Sequence, residues 1–445
     1  MKKWIQWSVI LLLLQAVTSR AEMVVTNIAA GADQSFFLTT EGLWAAGANS
    51  QGQLGAGNYN TAYRMVQVKT NEIVAVATGL SHTLIVNSDG VLSAAGDDIS
   101  GDLGDGGSVS ANKFKGISVV PTGVISIAAG NFHSAFVKTD GSVWGMGDNS
   151  KGQLGPVFNS TNRPAQIAGK FVVAVSVACG ADSTFYIRND GALFALGQLN
   201  GVSYSFGGMP TVVSFTGVVA VACGAQHAIW LKSDGSLWGT GRNTSGQLGD
   251  GTTNSTTAAV QIAASNVVAI ACGANSSLFI KSDGSLWGTG NNTGGQIGDG
   301  TTDNVLVPKQ IVAGGVTAVA AGRIHSLFLK SDGSVWATGS DFIGERGNGF
   351  ANAVLTTPEQ IYPLGKPVLT NSISNGSNLQ FLATCPVGGT YYLESSTDLS
   401  QPLSQWTRVA TNVLTDSTSN NFSATLTNEI NGGTGATYYM LYSDH

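Results

Sequence analysis

The residues of this 445-residue chain with the most chemistry to offer are five histidines, four cysteines and a crowd of aspartates. His82, His133, His227 and His325 each follow a glycine by three residues, a recurrence that invites a ring of imidazole metal ligands. A metal needs its ligands within a few ångströms of one another, and these four lie 51, 94 and 98 residues apart in sequence. A histidine bonded to nearby backbone is the plainer reading, and the fifth, His445, is terminal. Asp97, Asp98, Asp102 and Asp105 crowd the stretch DDISGDLGD, a set of oxygens suited to calcium but without the spacing of an EF-hand, so an exposed acidic loop is expected. Cys179, Cys223 and Cys272 each sit in Ala-Cys-Gly, while Ala30, Thr78, Ala129 and Ala321 fill the same slot elsewhere. A slot shared by Cys, Ala and Thr is a small buried position, so no structural disulfide is expected. No Ser-His-Asp order, no H-E-x-x-H and no isolated activated cysteine occurs. The chain is therefore expected to carry no catalytic residue, no metal site and no cofactor.

The glycine-rich stretch KSDGSLWGTGNNTGGQIGDGTT (281–302) raises the question of a phosphate-cradling loop. After Gly288 and Gly290, the third glycine of G-x-G-x-x-G falls on Thr293. The stretch KSDGSLWGTGRNTSGQLGDGTT, 49 residues upstream, matches it at 19 of 22 positions. A phosphate loop is needed once, and this one is part of a repeat.

The repeat defines the elements that must position everything else. Turn glycines recur at Gly42, Gly90, Gly141, Gly191, Gly235, Gly284 and Gly333, at intervals of 48, 51, 50, 44, 49 and 49 residues. A period near 50 with strand-like content predicts a propeller. Within one unit, the apolar run 266–272 predicts a strand buried on both faces, and 277–281 a second strand. Ser282-Asp283-Gly284 predicts a tight hairpin, 285–288 a third strand, and VPKQI (307–311), with its proline, an outer edge strand. The fold class is thus all-β: a seven-bladed β-propeller at residues 22–363, followed by a small β-sandwich domain at 364–445. The chain enters in the inner strand of blade one and leaves through TPEQIY (357–362), so both ends should meet at one seam.

These motifs resemble the regulator of chromosome condensation repeat, a seven-bladed propeller family. The pieces are Gly79 with His82, Gly130 with His133, Gly224 with His227 and Gly322 with His325. They are followed by Asp-Gly, by Trp144, Trp238, Trp287 or Trp336 (Phe194 in blade four, Trp44 one step early), and by Gly-Gln-Leu-Gly at 52–55, 152–155 and 246–249. Ile297 replaces Leu in blade six. The resemblance implies the fold; its motif residues build the blade and say little about function. YYLESSTDLSQPLSQWTRVATN (391–412) resembles a C-terminal module of secreted multidomain proteins from environmental bacteria.

The N-terminus MKKWIQWSVILLLLQAVTSRA combines a basic start, a short apolar run and small residues, the pattern of a signal peptide spanning 1–21. No later segment is long and apolar enough to span a membrane. Removing Lys2, Lys3 and Arg20 leaves 18 basic against 27 acidic residues. Such a balance is poorly suited to phosphate backbones, so nucleic acid is not an expected partner. The expectation is a secreted, periplasmic or cell-surface bacterial protein, a monomer once cleaved.

Repeats tend to break where function or strain intervenes. Blade four replaces the regular loop by LNGVSYSFGGMP, and blade seven by SDFIGERGNGF; blade one adds Tyr59, Tyr63 and Arg64. Tyr204 and Phe206, with Phe342 and Arg346, are the candidate binding residues, because aromatics and arginine are enriched at interaction hot spots. The repeated Trp is read as space-filling, and Lys138, Lys232, Lys281 and Lys330, with Arg188, before their Asp-Gly turns as solvated hairpin ends. The expected function is a non-enzymatic scaffold binding a protein or cell-envelope component. Two other readings stand beside it: guanine nucleotide exchange, by family name, and a polysaccharide-active propeller enzyme.

Overall fold

The computed structural model describes residues 23–362, apart from short breaks at 71–72, 118–121, 156–158, 169–172, 207–208 and 350–352, and then the backbone of six further strands. The expected signal peptide and Cys385 lie outside the described residues. Seven antiparallel sheets follow one another along the chain, each built from consecutive strands. Blade six shows the plan: Val267–Cys272, Ser276–Lys281, Leu286–Gly290 and Val305–Val312, in that spatial order. Blade four adds two short strands, Val202–Ser203 and Ser205–Phe206, where its sequence leaves the repeat.

The Asp-Gly hairpin forms because Gly284 adopts φ +77°, and an added Cβ there would meet the Gly315 backbone. Burial differs from the sequence expectation in an instructive way. The second strand, not the first, is the fully covered one: Ser276 to Ile280 are all buried. The first strand is only partly buried, and Val268, the bulged residue between Val267 and Ala269, is 55% exposed. The same bulge leaves Val74, Ile125, Val175 and Val219 exposed in other blades. An innermost strand has a hydrogen-bonded neighbour along one edge only, whereas the second strand has strands on both sides and blades on both faces.

The core lies between blades. Phe279 of blade six, for example, packs with Ile229, Leu231 and Leu237 of blade five. Among the described residues the ring closes without strand exchange. Instead, Arg323 N–H donates to the Ala32 carbonyl at 3.1 Å, and its guanidinium meets Asp33, 290 residues away. The propeller forms one compact unit, Met23–Ile361. In the second unit, the strands Val368–Asn375, Asn378–Thr384 and Asn421–Leu426 form one antiparallel sheet. Thr390–Ser396 pairs with Thr407–Val413 and Tyr438–Ser443 in another.

Candidate functional site

Third and fourth strands are joined by the loop carrying Gly-Gln-Leu-Gly, on the same side of the ring as the turns between first and second strands. In blade six, Asn292 Oδ1 accepts the Ile297 N–H at 2.9 Å, while its Nδ2 donates to Asp299 Oδ1 at 2.9 Å and to the Thr301 carbonyl at 3.0 Å. Gln296 Oε1 accepts the Gly294 N–H at 2.9 Å, and its Nε2 donates to Asn291 Oδ1 at 2.7 Å. Both amides use donor and acceptor atoms together, which is why amides stand there.

The same loop clips the next blade. The Gln296 carbonyl accepts Ser326 Oγ of blade seven at 2.8 Å, and the Gln247 carbonyl accepts Ser277 Oγ of blade six at 2.8 Å. The histidines join these clips: His227 Nε2 meets Ser277 Oγ at 3.0 Å, His82 meets Ser134 at 2.9 Å, His133 meets Thr184 at 3.0 Å and His325 meets Ser35 at 3.0 Å. Ser277 gives its own hydrogen to a carbonyl, so His227 Nε2 must carry the proton it donates. Burial pushes His133, His227 and His325 down to about 4 and His82 to about 3, keeping all four neutral. Their chemistry is the joining of blades. Among the described residues, no group of three or more His, Cys, Asp or Glu is placed to hold a metal ion.

The repeated tryptophans are likewise engaged internally. Trp287 Nε1 donates to Ser285 Oγ at 2.9 Å, Phe279 stacks on the ring at 6.4 Å, and Lys281 Nζ sits 3.8 Å from its centroid. Lys138, Arg188, Lys232 and Lys330 repeat the arrangement. The hairpin cations are thus ring-capping groups rather than free solvated ends. Cys179, Cys223 and Cys272 are free thiols beside a cavity of about 220 Å³ at the channel mouth, ringed by the first-turn glycines. Burial pushes Cys179 and Cys272 up to about 12, so they stay protonated.

Of the four candidate binding residues, two are covered. Tyr204 packs with Phe185, Leu199 and Trp230, its ring 6.3 Å from that of Phe185. The irregular loop of blade four folds back to fill the core it shares with blade five. Phe206 pairs with Met209 in a short hairpin, and its side chain lies outside the described residues. Arg346 is 2% exposed and stands where other blades place Leu. Its Nε meets Asp341 Oδ2 at 3.0 Å and its Nη1 meets Glu359 Oε2 at 3.1 Å. Both were expected at the surface. Asp341 in the Asn position leaves a buried negative charge, and Arg346 neutralises it.

Phe342 is 53% exposed, and its loop lies on blade one. Gly344 presses against Tyr63, and the Tyr63 carbonyl accepts the Gly349 N–H at 2.8 Å. Tyr63 and Tyr59 are 45% and 51% exposed. The loop that carries Phe342 therefore lies beside blade one, its neighbour across the closing seam. Sequence held a signal for this: the last repeat must adjoin the first.

A family described as the RCC1-like domain matches residues 118–392, more than half of the chain. An RCC1 repeat-containing protein of Schizosaccharomyces pombe is 27% identical over 191 residues, covering 40% of this chain and 54% of that protein. The X-linked retinitis pigmentosa GTPase regulator homolog of Caenorhabditis elegans is 33% identical over 127 residues, 28% of this chain and 9% of that protein. The chain thus spans about half or less of these relatives' own length. Among solved structures, Prp20p from Saccharomyces cerevisiae aligns with a TM-score of 0.64 at 21% identity, over 76% of this chain and 87% of that chain. That likeness is one of fold.

Proposed function

Because the chain belongs to the RCC1-like domain family, we propose that it is a secreted, non-enzymatic scaffold that binds a protein or cell-envelope component across the seam between blades seven and one. One observation carries this reading: Phe342, Tyr63 and Tyr59 stay exposed on a face whose repeated histidines are committed to joining blades and whose repeated amides brace their own loops. Large aromatics left in solvent beside a rigid seam suit the anchoring positions of an interface. The N-terminal segment 1–21 acts as a signal peptide of a bacterial protein, and residues 364–445 form a β-sandwich accessory domain. The cleaved chain works as a monomer without a cofactor.

The test is affinity capture from cell envelope and culture fluid with the chain starting at Glu22, run beside the Phe342→Ala/Tyr63→Ala variant. A retained protein lost by at least about tenfold in the variant, about 1.4 kcal/mol, supports the seam. Equal retention by both moves the site elsewhere, with residues 364–445 the next region to delete. A second reading, guanine nucleotide exchange, draws on relatives whose names include a GTPase regulator. Accelerated nucleotide release from a small GTPase from the same source would favour it over a passive scaffold.

A further inference from the structure

Blades one, three, five and six hold Asn and Gln at the two amide positions of the loop: Asn49 and Gln53, Asn149 and Gln153, Asn243 and Gln247, Asn292 and Gln296. Blade two holds Asp98 and Asp102 there, both buried. Asp98 Oδ1 accepts the Leu103 N–H at 2.9 Å, as the asparagine does. Its Oδ2 takes the place of an amide NH2 that in blades five and six donates to Asp250 and Asp299. The equivalent acceptor in blade two is Asp105, another carboxylate. Asp102 is 1% exposed, and neither of its carboxyl oxygens has a hydrogen-bond partner. Its carbonyl accepts Ser134 Oγ of blade three at 2.8 Å, the same hydroxyl that His82 grips. The two aspartates thus sit on the clip between blades two and three.

We propose that this loop is a proton-dependent latch: Asp98 and Asp102 hold the seam to blade three as neutral acids and loosen it when they ionise. A protonated carboxyl restores the missing donor; an ionised one leaves uncompensated charge in a covered seam. The groups around them reinforce this. Asp97, Asp105 and Asp148 are like charges, while His82 Nδ1 lies 4.0 Å from Asp102 Oδ2, with His133 beyond it. Lys115 is committed to Asp105 at 3.3 Å, and Arg163 of blade three lies against Gly106, in both cases at the rim. Burial pushes Asp98 up to about 6, and burial with the charges of Asp97, Asp98 and Asp148 pushes Asp102 up to about 8. Both folded values exceed the unfolded one, so their stabilisation is complete below the ordinary carboxylate range and is lost as pH rises through 6 and then 8. The latch is closed in mild acid and opens in mild alkali. Blade seven provides a control. Asp341 and Glu345 occupy the same two positions; Arg346 supplies a counter-charge to Asp341, while burial pushes Glu345 up to about 7, so the contrast holds for the first position only.

The test compares the full chain with Asp98→Asn, Asp102→Asn and the double variant at about pH 5 and about pH 8.5. At the higher pH the double variant should melt at least about 3 °C above the parent, and at the lower pH within about 1 °C of it. Amide exchange in His133–Lys138 should slow about tenfold at the higher pH, with Ser276–Lys281 unchanged. Asp102→Asn alone should give the larger share. Equal shifts at both pH values, no shift, or destabilisation at both would overturn the latch. So would millimolar calcium reproducing the rise in the parent, since the aspartates would then be serving a cation rather than a proton.

Discussion

Blade six and blade two build the same loop with different atoms. In blade six, the Asn292 and Gln296 amides donate and accept at once, and the loop is complete at any ordinary pH. In blade two, Asp98 and Asp102 can accept but donate only as acids. An amide and an acid of nearly identical shape at the first position, and a shorter acid in place of the glutamine at the second, therefore give one seam that is indifferent to protons and one that is not. Blade seven supplies a third solution, in which the acid at the first position, Asp341, is answered by Arg346 in the leucine slot. What the loop requires is a balance of donors and charge, and the residue names follow from that.

The comparison breaks most sharply at Arg346. Arg346→Leu restores the residue that the repeat uses elsewhere, yet it should destabilise the protein by about 3 kcal/mol, because it leaves Asp341 buried and unpaired. Chemical denaturation measures it; a neutral or stabilising result would mean that Asp341 already holds a proton. Asn292→Asp should carry blade two's behaviour into blade six, costing about 2 kcal/mol near pH 8 and clearly less near pH 5. A cost independent of pH would separate loop chemistry from seam opening. His325→Ala removes one clip at the closing seam and should cost about 1–2 kcal/mol near pH 7. The four buried histidines also predict acid sensitivity. Their folded values lie below the unfolded one, so stability falls as pH drops from about 6.5 towards 4. Opposite slopes from histidines and aspartates place the best melting temperature near pH 6, and a calorimetric pH series checks it. The smallest effect belongs to Phe342→Ala/Tyr63→Ala, which should change stability by less than about 0.5 kcal/mol per site. A larger loss would make these aromatics part of the seam itself.

The propeller was legible because its repeat is written in turn glycines and in His, Trp and Gln at fixed offsets, all residues whose roles are local. Two things were not. The first strand read as buried on both faces, since an apolar run looks the same whether it faces a neighbour or a channel; Val268 shows the difference. Departures from the repeat were also ambiguous, because a residue that repairs packing and one that meets a partner break the pattern alike. Tyr204 fills a core and Arg346 answers Asp341, whereas Phe342 does neither. For Arg346 a clue was present, since Asp341, Glu345 and Arg346 all replace neutral residues within one short loop. Several new charges arriving together in a covered loop read more readily as mutual compensation than as a binding site.

Every blade is a contiguous piece of chain, and clips between successive blades join residues 50 to 52 apart, as in His227 to Ser277 and His82 to Ser134. The contacts that close the ring span 290 residues, from Ser35 to His325 and from Asp33 to Arg323. Low contact order thus covers almost the whole ring, and blades can form in order as the chain emerges, each using its predecessor as a template. The long-range step is deferred to the end, when blade seven meets blade one. Moving the chain ends to another seam by circular permutation would transfer that slow step with them, leaving the finished ring unchanged.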